Sequence, residues 1–303
     1  MVDPIRVGII GYDTSHAPAF ARLLNQADVP YAIGGARVVC GFPSYSEDIE
    51  SSRGRVEEYR RDLAALGVRE SASIGELLEQ VDAVLLESVD GRRHLTEVIA
   101  VLEAGKPVFV DKPLAASYKD ALEIARHAEG TGTRLFSASS LRYDANVLSV
   151  LDSVAGQPVY GCDAFSPATL EETNPGLFWY GVHAVELLYT FMGMGCRSVR
   201  CVSMSGAEVV VGEWEDGRLG TVRGTRSGDH DYGVTVHSTT THQTRYNREI
   251  PIYAQLLQRI VAFFGGQPAP VAPAETLETM AFVQAALTSA AEGGRAVQLA
   301  ELC

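Results

Sequence analysis

The chain has 303 residues, 46% hydrophobic and 21% charged, which suits two domains of roughly 100–200 residues each. Its 25 basic against 38 acidic residues leave a net charge of −13, and the basic residues are scattered, which argues against a nucleic-acid backbone or an anionic membrane as partner. No apolar run approaches the roughly 20 residues of a bilayer-spanning helix, and the opening MVDPIRVGIIGYD reads as a first buried strand rather than a leader.

From residue 5 to about 138, short apolar runs alternate with helical patterns. Ile5–Ile10, Ala36–Cys40, Ala83–Leu86, Val108–Val110 and Arg134–Ser137 read as strands, most of them continuously apolar as buried parallel strands are. Between two of them, Leu95, Val98, Ile99 and Leu102 fall at i, i+3, i+4 and i+7, predicting a helix over 94–104 with Gly105 at its stop. Ser117 is placed to cap a further helix carrying Leu122 and Ala125 and ending near Gly130. This alternation predicts a doubly wound parallel sheet, a Rossmann-type domain over residues 1–140.

Beyond residue 140 the grammar changes to α+β. A helix over 143–154 leads into a strand over 159–165, and a long helix is expected over 179–192. Strands at 199–204, 208–213, 219–224 and 232–237 follow, with Asp216-Gly217 as a hairpin signal. Two amphipathic helices start near Pro251 (Ile252, Leu256, Ile260, Phe263) and Pro273 (Leu277, Met280, Leu287). Residues 141–303 thus form a second domain with an open, largely antiparallel sheet. Five cysteines, Cys40, Cys162, Cys196, Cys201 and Cys303, are odd in number and show no Cys-x-x-Cys spacing; they point to a reducing, cytoplasmic setting and structural thiols.

Three stretches carry chemistry. The first is the turn Gly11-Tyr12-Asp13-Thr14-Ser15-His16, where a dinucleotide-binding strand would run into G-x-G-x-x-G. Only the first glycine is present; Asp13 and His16 stand at the other two, while Thr14 or Ser15 is placed to cap the following helix and Pro18 falls in its first turn. An acid for the ribose hydroxyls is missing near Phe42; Ser44 and Ser46 with Arg53 or Arg55 are instead suited to a 2′-phosphate. The second stretch is Val108 to Pro113, whose Asp111 and Lys112 end a buried parallel strand, where such sheets bind ligands; Pro113 is a candidate for a cis peptide. The third is Pro175 to Glu186. On one helix Trp179, His183 and Glu186 would share a face opposite Val185, Leu188 and Met192, and a histidine beside a carboxylate is suited to proton transfer. His94 follows the fourth strand and could face the cleft. His230, His237 and His242 read as surface or core residues, with His237 and His242 on opposite faces of one strand, and no spacing suggests a metal site.

With these residues located, the sequence resembles the glucose–fructose oxidoreductase/inositol dehydrogenase/MocA (Gfo/Idh/MocA) family over nearly its whole length. The likeness rests on Gly11 after the first strand, on 82–103, on AGKPVFVDKPL (104–114), on 139–143, on Gly181-x-His183 and on the pattern from Glu275 to Leu299. It implies a Rossmann domain followed by an α/β domain whose open sheet serves homo-oligomer contacts, as a dimer or tetramer. It also implies oxidation or reduction of a CH–OH carbon of a sugar or cyclitol with NAD or NADP. Lys112 matches the lysine that polarises the reacting hydroxyl, and His183 matches the acid/base histidine. The aspartate usually four residues before that histidine is Trp179 here, an aromatic face suited to stacking on a sugar ring.

The expected protein is therefore a cytoplasmic NAD(P)-dependent oxidoreductase with Lys112 and His183 as catalytic residues. Gly11, Asp13, Thr14, Ser15, His16, Ser44, Ser88, His94, Asp111 and Pro113 are the candidate cofactor contacts. Tyr143, Arg142, Asn174 and Trp179 are the candidate substrate contacts, with Glu186 able to orient His183. The altered glycine turn keeps two alternatives open: a cofactor-independent lyase or isomerase that recruits Asp13 and His16, and a non-catalytic binder of a sugar derivative.

Overall fold

The computed structural model describes residues 3–302 and divides the chain into two compact units. The first comprises the chain up to Ala115, Lys119–Ala138 and Tyr253–Pro273; the second comprises Ala116–Tyr118, Ser139–Ile252 and the chain from Ala274.

In chain order the first unit runs β1 (Ile5–Ile10), α1 (His16–Asn25), β2 (Ala36–Phe42), α2 (Glu50–Arg53), α3 (Val56–Ala65), β3 (Arg69–Glu70), α4 (Ile74–Leu78), β4 (Ala83–Leu86), α5 (Gly91–Glu103), β5 (Val108–Val110), α6 (Tyr118–Thr131) and β6 (Leu135–Ser137). All six strands are parallel, in the order β3-β2-β1-β4-β5-β6. The order reverses between β1 and β4, and the crevice beyond the carboxyl ends there is where doubly wound sheets bind ligands. β4 and β5 are buried at every position, as their uninterrupted apolar runs require. Helix α5 starts three residues before the periodic stretch does, because the Asp90 carboxylate accepts the Arg92 N–H at 3.0 Å and caps an earlier turn. In α6 the fully buried positions are Ala121 and Ile124, one residue ahead of the expected Leu122 and Ala125, which are half-buried.

The second unit continues with a short 3-10 turn (Ser140–Tyr143), α7 (Ala145–Ser153), β7 (Gly161–Pro167), a second 3-10 turn (Gly176–Phe178), α8 (Val182–Met192), β8 (Cys196–Met204), β9 (Ala207–Trp214), β10 (Leu219–Thr225), β11 (Gly233–His237) and β12 (Thr241–Arg245). After these come α9 (Ile252–Phe264), α10 (Pro273–Ala291) and β13 (Val297–Gln298). Its seven-stranded sheet has the order β12-β11-β7-β10-β9-β8-β13, antiparallel except for the β7–β10 pair. One face is buried through Val199, Cys201, Val210 and Val222, while Val202, Met204, Val209 and Leu219 stand exposed on the other. The expected helix over 143–154 is split, since Asp144 takes the N–H groups of Asn146 and Val147 and starts α7 afresh.

Helix α9 departs from a division at residue 140. From Tyr253 it belongs to the first unit, where Phe263 packs on Phe136 with ring centroids 4.9 Å apart and the Phe263 carbonyl accepts from Arg134. An apolar stripe must be buried somewhere, and sequence order does not say against which partner. Cys40, Cys162, Cys196 and Cys201 are buried and unbridged, and burial raises their thiol pKa values, which fits inert packing residues. Cys303 lies outside the described residues.

Candidate functional site

In the first unit the site is built at the carboxyl ends of β1, β4 and β5. Gly11 leaves β1 with φ +97°, and a Cβ there would stand 2.3 Å from the Ser88 backbone nitrogen, so only glycine fits this crossing. Ser15 precedes α1 with its side chain exposed and makes no capping hydrogen bond, and the first turn holds no acidic residue. No side-chain carboxylate therefore offsets the positive end of the α1 dipole in its first turn.

Both residues that replace glycines turn inward. The Asp13 carboxylate is fully buried, accepting the Val89 N–H at 3.0 Å and the Ser52 hydroxyl at 2.6 Å. Burial pushes its pKa up to about 6 against the pull of those two donors. His16 is 7% exposed and lies against Phe20 and Tyr253 of α9. Its Nδ1 sits 3.0 Å from Asp111 Oδ2 and 3.6 Å from Glu87 Oε2. Burial disfavours the imidazolium most strongly, yet the Asp111 carboxylate prevails and its pKa is raised. Glu87, wholly buried at the end of β4, is pushed up to about 7 by burial and by the Asp111 charge. Asp111 runs the other way: burial acts against its charge, but His16 and Lys112 hold it low. Lys112 follows with Nζ 3.9 Å from Asp111 Oδ2 and 6% of its surface exposed, and the Lys112–Pro113 peptide is cis.

Other expected cofactor contacts hold the loops together. Ser44 and Ser88 both donate to the buried carboxylate of Glu97, and Ser46 donates to Asp90 at 2.6 Å. His94 is fully buried, with Nδ1 2.9 Å from the Pro113 carbonyl and Nε2 2.7 Å from that of Ser88; it ties the β4 and β5 loops and does not face a cleft. Thr14 is 6% exposed, its Oγ1 3.5 Å from the His16 nitrogen.

In the second unit His183 lies in the first turn of α8, 8% exposed, with Nδ1 2.7 Å from Ser139 Oγ, which also accepts the Leu141 N–H. Tyr232 meets its ring edge-on at 5.6 Å and Tyr180 lies 6.1 Å away. Trp179 does not share a helical face with it, because α8 begins only at Val182, after Gly181; the indole is buried and packs against Tyr180. Glu186 lies three residues further along α8. It pairs with Arg142, whose Nη1 also reaches Glu275 Oε1 at 2.7 Å, so that buried guanidinium serves two carboxylates. Tyr143 and Asn174 are also buried, at 8% and 5% exposure. His237 and His242 lie on separate, paired strands, and His237 Nε2 reaches Asp163 at 2.7 Å.

Three site residues escape a reading of the sequence: Glu87, Tyr253 and Ser139 in its contact with His183. Glu87 has one visible signal, an acidic residue ending the apolar run Ala83–Leu86. The others are joined to their partners only by the fold.

Among the described residues no helix is long and apolar enough to cross a membrane. Residues 5–139 match a family model described as "Oxidoreductase family, NAD-binding Rossmann fold". Inositol 2-dehydrogenase 1 of Saccharopolyspora erythraea is 34% identical over 139 residues, 46% of this chain and 37% of the relative; the chain matches about two fifths of that relative's length. Among solved structures, an oxidoreductase from Agrobacterium radiobacter in complex with NAD+, L-tartaric acid and magnesium superposes with a TM-score of 0.78 at 15% identity, over 99% of this chain and 100% of that one. The WlbA dehydrogenase of Bordetella pertussis, in complex with NADH and UDP-GlcNAcA, superposes at 0.75 and 18% identity over 98% and 99%. These likenesses establish the two-unit fold, and residues 5–139 are similar to the NAD-binding Rossmann unit of that oxidoreductase family.

Proposed function

We propose that this protein is an NAD(P)-dependent oxidoreductase acting on a CH–OH carbon of a sugar, cyclitol or related small molecule. The observation that carries this reading is the inward turn of Asp13 and His16. Both side chains are held by partners of their own, Val89 and Ser52 for Asp13 and Asp111 for His16, and with no acid in its first turn the α1 dipole supports a pyrophosphate at its amino end. A dinucleotide would lie with its phosphates at the Thr14–Ser15 backbone beside Gly11. Its nicotinamide end would lie toward Asp111–Pro113, and the nicotinamide supplies the acceptor or donor of hydride when bound.

The protein's own groups supply the rest. Lys112 brings an ammonium to the end of β5, which holds the substrate oxygen and favours its alkoxide over its alcohol. His183 takes or returns the hydroxyl proton at Nε2. Ser139 at Nδ1 suits that task, because its hydroxyl oxygen can accept from Nδ1–H and so leave Nε2 as the nitrogen that takes or returns the proton. The Tyr180 and Tyr232 rings set the plane of the imidazole.

We extend the reading to assembly and compartment. The exposed stripe of Val202, Met204, Val209 and Leu219 on the open sheet face supports a homo-oligomer, and four unbridged buried cysteines support a cytoplasmic protein. Val209→Arg should shift the particle to a smaller size in sedimentation with its circular dichroism unchanged; an unchanged particle would remove the sheet face from consideration. For the activity itself, NAD and NADP are titrated against the melting temperature. A rise that saturates below millimolar nucleotide is expected; none with either nucleotide would refute the proposal.

A further inference from the structure

The cluster of His16, Glu87 and Asp111 is built as a metal site is built. From it we infer that the first unit binds one divalent transition-metal ion, of the zinc, manganese, iron or cobalt type, between α1 and the ends of β4 and β5.

The donor atoms, one imidazole nitrogen and one oxygen from each carboxylate, lie within 4.8 Å of one another and all three residues are buried. The His16 Nδ1 distances of 3.0 Å to Asp111 and 3.6 Å to Glu87 bracket the edge of a coordination polyhedron. Bonds of about 2.1 Å place neighbouring ligands about 3.0 Å apart in an octahedron and about 3.4 Å apart in a tetrahedron. A second observation is independent of the clustering. The four carboxylate oxygens of Glu87 and Asp111 and the Nδ1 of His16 are buried without a hydrogen bond of good geometry, His16 Nδ1 lying 3.0 Å from Asp111 as an ion-pair contact. Buried carboxylates ordinarily take several donors. Here the oxygens and the ring nitrogen converge on one another with no outside donor of good geometry to the carboxylates, as groups do around a shared cation.

The chemistry of the donors selects the ion. One imidazole with two carboxylates favours a borderline first-row dication over magnesium or calcium, which prefer all-oxygen shells. Two carboxylates neutralise its charge, and the three ligands leave coordination positions for water. The ligands sit at the ends of regular elements, and Glu87 and Asp111 are held in the core, so the site is preformed. The sequence shows no metal spacing because each ligand comes from a different element.

The test needs no nucleotide, so its outcome is separate from that of the oxidoreductase reading. Full-length protein is stripped with a chelator and titrated with Co(II) alone, then with Zn(II) in competition. One ion per chain is expected, with visible d–d bands, no thiolate charge-transfer band and a higher melting temperature. His16→Ala and Glu87→Gln should each weaken binding at least about tenfold. Glu87→Gln keeps the shape of the side chain, and circular dichroism and the chelator-treated melting temperature verify its fold. X-ray absorption on the zinc form should show imidazole outer-shell scattering that vanishes in His16→Ala. The inference is overturned if wild type takes up neither ion at millimolar concentration, or if Glu87→Gln binds as tightly as wild type.

Discussion

Replacing Asp13 by asparagine should make the first unit more stable at neutral pH and leave it unchanged in acid. In the folded state the carboxyl pKa is raised to about 6, from an ordinary value of 3.8. The sign follows from proton uptake: between those values the folded chain holds more protons than the unfolded one, so stability falls as pH rises through the window. By about pH 7 the full penalty is present, and the rise from 3.8 to about 6 corresponds to about 3 kcal/mol. Asparagine resembles the protonated acid. It keeps an acceptor for the Val89 N–H and contacts Ser52, so the gain should be near zero at about pH 4 and approach 3 kcal/mol by about pH 7. Asp13→Ala separates the two contributions, since it strands both donors and should cost about 1–3 kcal/mol in acid. Both tryptophans, Trp179 and Trp214, belong to the second unit, so fluorescence would report on the wrong half. Hydrogen exchange of peptides from β1 and β4 reads the first unit directly. A gap between wild type and Asp13→Asn that is constant with pH, or that closes as pH rises, would refute the reasoning.

Other perturbations address the proposed catalytic groups and the core. Lys112→Ala should lower kcat by about 10²–10⁴-fold with a normal fold, read from nicotinamide absorbance during turnover. Ser139→Ala removes one hydrogen bond of about 1 kcal/mol at His183 Nδ1, so kcat should fall about fivefold and the pH profile should shift; an unchanged profile would make Ser139 merely structural. Arg142→Met leaves Glu186 and Glu275 facing each other without their cation, and the second unit should lose about 3–5 kcal/mol in urea titrations followed by tryptophan fluorescence.

Much of the scaffold is legible because buried parallel strands are continuously apolar and short. β1, β4 and β5 match their expected limits residue for residue. What decides the site is less legible. Asp13 and His16 are recognisable as intruders in a glycine turn, but the direction of their side chains depends on Val89, Ser52, Glu87 and Asp111, all distant in sequence. Trp179 reads as part of a helix that in fact starts after it, since hydrophobic spacing runs across Gly181 without marking a boundary. Arg142 looks like a pocket residue because a lone arginine shows no sign of the two glutamates that hold it.

The return of residues 253–273 to the first unit bears on how the protein is made. A ribosome delivers the chain in one direction at roughly 5–20 residues per second, so β6 emerges on the order of ten seconds before the helix that covers it. During that interval Phe136 lacks Phe263 and His16 lacks Tyr253. The nascent Rossmann sheet is thus an unfinished surface until most of the second unit has been translated. A chaperone that shields its β6 edge, rather than one acting on the completed polypeptide, would have the largest effect on yield.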